Sequence, residues 1–181
     1  MKKFLPFIIM IIVIVLALVG VNFIAMNMDD REITSDPGFT FSTTDRMGVL
    51  YTEKIFKGNK ITLVNMWEPW CGPCVREMTE LQRLYSKYKD DGLMVIGVYS
   101  ANNMEDRINQ ILSSSKVNYP IIHYTDSFYK FKSGCVPTTI FIDCNGQVID
   151  MKMQTSKSGQ PVVVGAKSYE DWENMIKPYL N

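Results

Sequence analysis

The distribution of apolar positions divides the chain into a short front segment and a long alternating body. Lys2-Lys3 precedes 18 residues, Phe4 to Val21, without a charged or hydrogen-bonding side chain, and Phe23-Ile24-Ala25-Met26 resumes the run after Asn22. A spanning helix needs about 20 mostly apolar residues, more than the roughly 7–15 of a cleaved signal core. No small-x-small cleavage site and no lipid-accepting cysteine follow. The pattern predicts an uncleaved signal anchor over 1–28, with the lysines inside and Asp29-Asp30 emerging outside. Residues 29–38 are polar, contain Asp36-Pro37-Gly38, and are expected to form a linker into a domain over 39–181.

Within that domain, Ile61–Trp67 and Leu93–Tyr99 are nearly continuous apolar runs rich in β-branched residues, as suits strands covered on both faces. Between them Val75, Met78, Leu81, Tyr85 and Tyr88 recur at helical spacing, making a strand–helix–strand unit. Met104, Ile108, Ile111 and Leu112 predict a second helix. Thr138–Ile142 reads as a strand, Asn145-Gly146 as a hairpin turn, and Val148 onward as the antiparallel partner. Ser168 with Asp171 three residues on predicts a capped last helix with Tyr169, Trp172, Met175, Ile176 and Tyr179 inward. Gln154–Gln160 is polar and expected to be a surface loop. The order predicts an α/β fold of three layers, a mixed central sheet flanked by helices.

Charge narrows the function classes. Lys plus Arg and Asp plus Glu balance at 19 each, and no basic patch interleaves with aromatics, which argues against nucleic acid as a partner. The four cysteines, Cys71, Cys74, Cys135 and Cys144, all lie in the second domain. A domain of this size builds its own core, so reactive chemistry is a better account of them than a disulfide scaffold.

Trp67-Glu68-Pro69-Trp70-Cys71-Gly72-Pro73-Cys74 falls where a predicted buried strand gives way to a predicted helix. Cys71 would face the unpaired N–H groups and positive dipole end of that helix, which favour a thiolate. Cys74, one turn in, would resolve the mixed disulfide that Cys71 forms. The alternatives are an inert pair of buried thiols, which would not need the Trp-Cys-Gly-Pro-Cys context, and a zinc half-site, which needs two more ligands at metal spacing. Cys135 and Cys144 are nine residues apart, and His123 is the single histidine. No metal and no other cofactor is expected.

Trp70-Cys71-Gly72-Pro73-Cys74, with Val136-Pro137-Thr138-Thr139 downstream, resembles the thioredoxin superfamily. Leu63-Val64-Asn65-Met66-Trp67, Arg76-Glu77 and Thr138–Asp143 followed by Asn145-Gly146 are similar to its TlpA/ResA branch, over about Phe39 to the C-terminus. The resemblance implies a thioredoxin-like fold whose catalytic domain lies on the extracytoplasmic side of the cell membrane. It implies a thiol–disulfide oxidoreductase that reduces exported proteins such as apocytochrome c, or another extracytoplasmic reductase. Its electrons would come from a membrane thiol carrier of the CcdA/DsbD kind. It also implies that Pro137 is a cis-proline packed on the redox pair, with Trp70, Val136 and Pro137 docking the client. Asn102–Ile122 would be that branch's extra helix and strand.

Three positions depart from ordinary thioredoxins. Asn65 stands where a buried aspartate would, so Glu68 is a candidate for proton handling at Cys74, with a solvated rim carboxylate as the alternative. Thr79 stands where a kinking proline would. Cys135 precedes the docking proline by two residues; it is either regulatory or, the favoured reading, a small buried apolar residue. Two other functions stay open: a disulfide-forming oxidase of the same fold, and a copper-binding assembly factor, whose usual Cys-x-x-x-Cys spacing is absent.

Overall fold

The computed structural model describes residues 38–181. The anchor expected over 1–28 lies outside them, as does all of the expected linker except Gly38. Among the described residues no helix is long and apolar enough to cross a membrane.

A small antiparallel hairpin comes first, β1 (Ser42–Thr44) with β2 (Leu50–Thr52). The main sheet is built from β3 (Ile61–Met66), β4 (Leu93–Tyr99), β5 (Ile121–His123), β6 (Thr138–Asp143), β7 (Val148–Ile149), β8 (Gln154–Thr155) and β9 (Pro161–Val164). Its strand order is β5-β4-β3-β6-β9-β8, with β7 paired to β6. β3, β4 and β5 run parallel, while β6 is antiparallel to β3, so the sheet is mixed as predicted. Three helices complete the domain: α1 (Gly72–Tyr88), α2 (Glu105–Ser114) and α3 (Tyr169–Leu180).

Strand pleat sorts the core into two layers. Ile61, Leu63 and Trp67 point to the face covered by α1 and α3, where Met78, Leu81, Leu84, Trp172 and Ile176 meet them. Val64 and Met66 point to the opposite face. Burying each such aliphatic side chain stabilises the fold by about 1.5–3 kcal/mol before entropic losses. Val75, Tyr85 and Tyr88, expected on the inner stripe of α1, sit at its edge, and Cys74 and Leu84 lie deeper. The helix runs unbroken through Thr79, where a proline would have removed a hydrogen bond.

The second layer is an aromatic cluster. The Phe39 ring lies 5.2 Å from that of Phe128 and 5.1 Å from that of Phe131, and Phe41 stacks on Phe39 at 5.8 Å. Phe128 and Phe131 come from a 3-10 turn over Asp126–Phe131 that carries no helical or strand period in the sequence.

Ser168 caps α3 through a reciprocal box with Asp171, as the sequence predicts. The segment from Gln154 to Gln160 differs from the expected surface loop. Gln154–Thr155 forms the exposed strand β8, and Ser156 is buried with its hydroxyl donating to Lys130 O at 2.7 Å.

Candidate redox site and docking groove

α1 begins where β3 ends, and that junction places the two cysteines. Cys71 is the N-cap of α1, and its sulfur accepts the Cys74 N–H at 3.2 Å. Gly72 and Pro73 form the first helical positions, where the missing proline N–H costs nothing. The two cysteines are joined as a disulfide with a Cα–Cα separation of 5.3 Å. Cys71 retains 6% exposure and Cys74 none, so only the N-terminal sulfur can be approached from outside. On reduction, the helix N-terminus and the Cys74 N–H would stabilise negative charge on Cys71.

The Val136–Pro137 peptide bond is cis. It brings Val136 O to 3.5 Å from Cys71 Sγ, a contact across 65 residues of sequence. Pro137 O accepts the Gly165 N–H at 2.9 Å, and Thr138 Oγ1 donates to Cys135 O at 2.7 Å, so the segment is tied on both sides. Between it and the 66–70 segment lies a groove of about 700 Å³, floored by Met66, Val98 and Tyr124 and rimmed by Trp70, which is 66% exposed. Trp70 and Val136 therefore line one depression beside Cys71, whereas Pro137 is buried and is not among the lining residues.

Glu68 does not approach this pair as a free acid. Its carboxylate accepts hydrogen bonds from Ser100 N at 3.1 Å, Ala101 N at 3.2 Å and the Ser100 hydroxyl, which fastens the loop after β4. The buried acid is Glu77. It sits one turn beyond Cys74 on the same inward face of α1 and is 2% exposed. Its Oε1 accepts from Lys167 N at 2.7 Å and from Trp172 Nε1 at 3.1 Å. Its Oε2 accepts from Asn65 Nδ2 at 3.1 Å, and Asn65 in turn donates to Thr139 Oγ1 at 3.0 Å.

Burial drives the Glu77 pKa up to about 7; the hydrogen bonds from Lys167, Asn65 and Trp172 oppose the rise without cancelling it. A carboxyl that exchanges its proton near neutrality, one helical turn from Cys74, has the chemistry of a general acid–base group. Sequence reasoning passed over Glu77, although a signal was present. An acid at the third position after Cys74 falls inside the stripe Cys74, Met78, Leu81, where an unpaired charge is costly.

Cys135 corrects an expectation: it is exposed, not buried. Gly134 before it takes a positive φ of 96°, and the Cys135 N–H bonds to Ser133 Oγ at 3.1 Å, which turns the residue out to the groove. Cys144 is exposed at the other end of β6.

The model of the Redoxin family matches residues 32–166. The chain belongs to this family. Among curated relatives it is similar to the thiol-disulfide oxidoreductase ResA of Oceanobacillus iheyensis, 34% identical over 49% of this chain and 47% of the relative. ResA of Halalkalibacterium halodurans is 27% identical over 93% of this chain and 92% of the relative. Over the first of these matches the chain spans about half the relative's length. Among solved structures, a thiol:disulfide interchange protein of Chlorobium tepidum has a TM-score of 0.65 at 22% identity, covering 80% of this chain and 96% of its own. StoA of Bacillus subtilis has a TM-score of 0.58 at 17% identity, covering 76% and 96%. These structural likenesses establish a thioredoxin-like fold, and the Redoxin match together with the ResA relatives supports a TlpA/ResA-like protein of the thioredoxin superfamily.

Proposed function

We propose that the protein is a thiol–disulfide oxidoreductase that reduces disulfides in exported proteins through a Cys71/Cys74 cycle. The observation that carries this reading is the Cys71–Cys74 disulfide at the N-terminus of α1, with Cys71 Sγ 3.5 Å from Val136 O at the edge of a groove. In the reduced protein, the Cys71 thiolate attacks one sulfur of a client disulfide. The client S–S bond breaks, a Cys71–client bond forms, and the released client thiolate takes a proton. Cys74 then loses its proton, with Glu77 as the nearby acceptor, and attacks Cys71. The Cys71–Cys74 bond forms, and the client's second thiolate leaves and is protonated. Two electrons and two protons pass to the client, and a thiol donor must return them to the pair.

The apolar segment 4–21 behind two lysines supports a single-pass anchor in the cell membrane with the redox domain on the outer side. A membrane thiol carrier then serves as donor, and exported disulfide proteins, apocytochrome c among them, as clients. Direction rests on the potential of the couple. Equilibrating the protein with glutathione or dithiothreitol buffers and counting free thiols measures it. A value near about −270 mV supports a reductant, whereas one near about −120 mV marks an oxidase and overturns the proposed direction.

A further inference from the structure

Two lysines without an ion-pair partner among the described residues border the groove beside Cys71 on its 132–135 side. Lys132 lines it and is exposed, with its Nζ 5.1 Å from the ring centroids of both Tyr124 and Tyr129. Those two faces hold the ammonium at the groove by cation–π attraction without neutralising it. Across the loop, Lys157 stands against Gly134: its Nζ is 3.4 Å from where a Cβ on that glycine would sit. The Lys157 N–H also donates to Lys132 O at 3.1 Å, which fixes the two residues side by side. Among the described residues the ion pairs are Arg46–Glu105, Arg83–Glu80, Lys87–Glu173 and Lys177–Glu173, so neither lysine has an acidic partner. Glu68, a carboxylate that also lines the groove, keeps its charge but is held to the loop after β4 by Ser100 and Ala101 and makes no ion pair with either lysine.

We infer that this groove selects its clients by charge: it takes an extended segment bearing a carboxylate for Lys132 and Lys157 and a bulky apolar side chain for the floor. The inference rests on the proposed exchange reaction and adds which segments react. About 700 Å³ is room for a few side chains, not a folded surface. Met66, Val98 and Tyr124 present an apolar floor, and the exposed Trp70 supplies the facing wall. An acid beside the client cysteine meets two unpaired lysines, whereas a lysine or arginine there meets like charge. Discrimination therefore comes from repulsion as well as attraction.

Two oxidised peptides test this, identical but for a Glu or a Lys two residues from the attacked cysteine, each with a neighbouring Phe. The full chain, in detergent and reduced, is mixed with each peptide, and the rate of peptide reduction is followed by acid quench. At low salt the Glu peptide reacts faster, by on the order of tenfold. The ratio shrinks toward one as salt rises, because the lysines are solvent-exposed. In the doubly reversed protein, Lys132→Glu with Lys157→Glu, the order of the two peptides inverts. Each ratio is taken within a single preparation, so a loss of folded protein cancels. Equal rates for the two peptides in the wild type, or a preference unchanged by the double reversal, overturn the inference. A neutral disulfide, bis(2-hydroxyethyl) disulfide, separates the levels. If the wild-type chain reduces it and yet ignores peptide charge, the charge selection fails alone. If the chain reduces neither it nor the peptides, the proposed reaction fails and the charge selection with it.

Discussion

Replacing Glu77 with glutamine tests the energetic cost of burying this acid one helical turn beyond Cys74. The Glu77 carboxyl is held at about 7 against an ordinary 4.5, chiefly by loss of solvent. Its pKa is thus higher folded than unfolded, so between these two values the folded chain holds a proton that the unfolded chain has released. The associated stability is fully present below about pH 4.5, declines as pH rises, and is gone once pH passes about 7. The total is about 3 kcal/mol, of which about 2.5 kcal/mol falls between pH 5 and pH 8. The amide introduced by Glu77→Gln imitates the protonated acid. Its oxygen keeps the Lys167 and Trp172 donors, and Asn65 turns its amide over so that its own oxygen accepts from the new amide while Thr139 donates. The assay is urea unfolding of the oxidised protein at several pH values, wild type against Glu77→Gln. Taking the difference between the two removes every titration they share. The wild type should lose about 2.5 kcal/mol relative to the variant from pH 5 to pH 8. A difference that stays level, or moves in favour of the wild type, refutes the claim that Glu77 is buried at a cost.

The same variant should also resolve mixed disulfides more slowly, most clearly above pH 7, where wild-type Glu77 can accept the Cys74 proton; rapid-quench measurement of the second exchange step reads this. Cys74→Ser should accumulate client mixed disulfides on non-reducing gels, whereas Cys71→Ser should accumulate none, because only Cys71 is reachable; equal trapping by both would reverse the roles. Gly97→Ala should cost about 1–3 kcal/mol in denaturant unfolding, since its Cβ would lie 2.5 Å from Ile121 Cδ1 and 3.2 Å from Trp67 Nε1. Cys135 and Cys144 should yield no joined peptide on non-reducing maps, because the six residues of β6 between them span about 20 Å and a disulfide tolerates about 7 Å.

Local pattern carried much of this protein. Strands β3 and β4, helix α1 and the redox motif at their junction were legible in the sequence, because each rests on neighbours within a few residues: apolar continuity, helical spacing, a proline at a helix start. The capping box of α3 was legible for the same reason. What depended on distant partners was not. The cluster around Phe39 draws Phe128 and Phe131 from a turn with no period to read, since their burial is decided by the sheet face they cover. Cys135 could equally have been core; its exposure follows from the backbone turn at Gly134 and the Ser133 hydroxyl. Glu68 and Glu77 are both acids within a few residues of the cysteines, and composition does not rank them. Tertiary structure does: it hands Glu68 three donors at the loop after β4 and encloses Glu77 among Asn65, Trp172 and Lys167, contributed by three separate segments. The order of residues along the chain was enough to say which two sulfurs meet at the start of α1. Packing between segments dozens of residues apart decided which acid lies beside them and what charge borders the groove they open on, because burial and charge pairing are properties of neighbours in space.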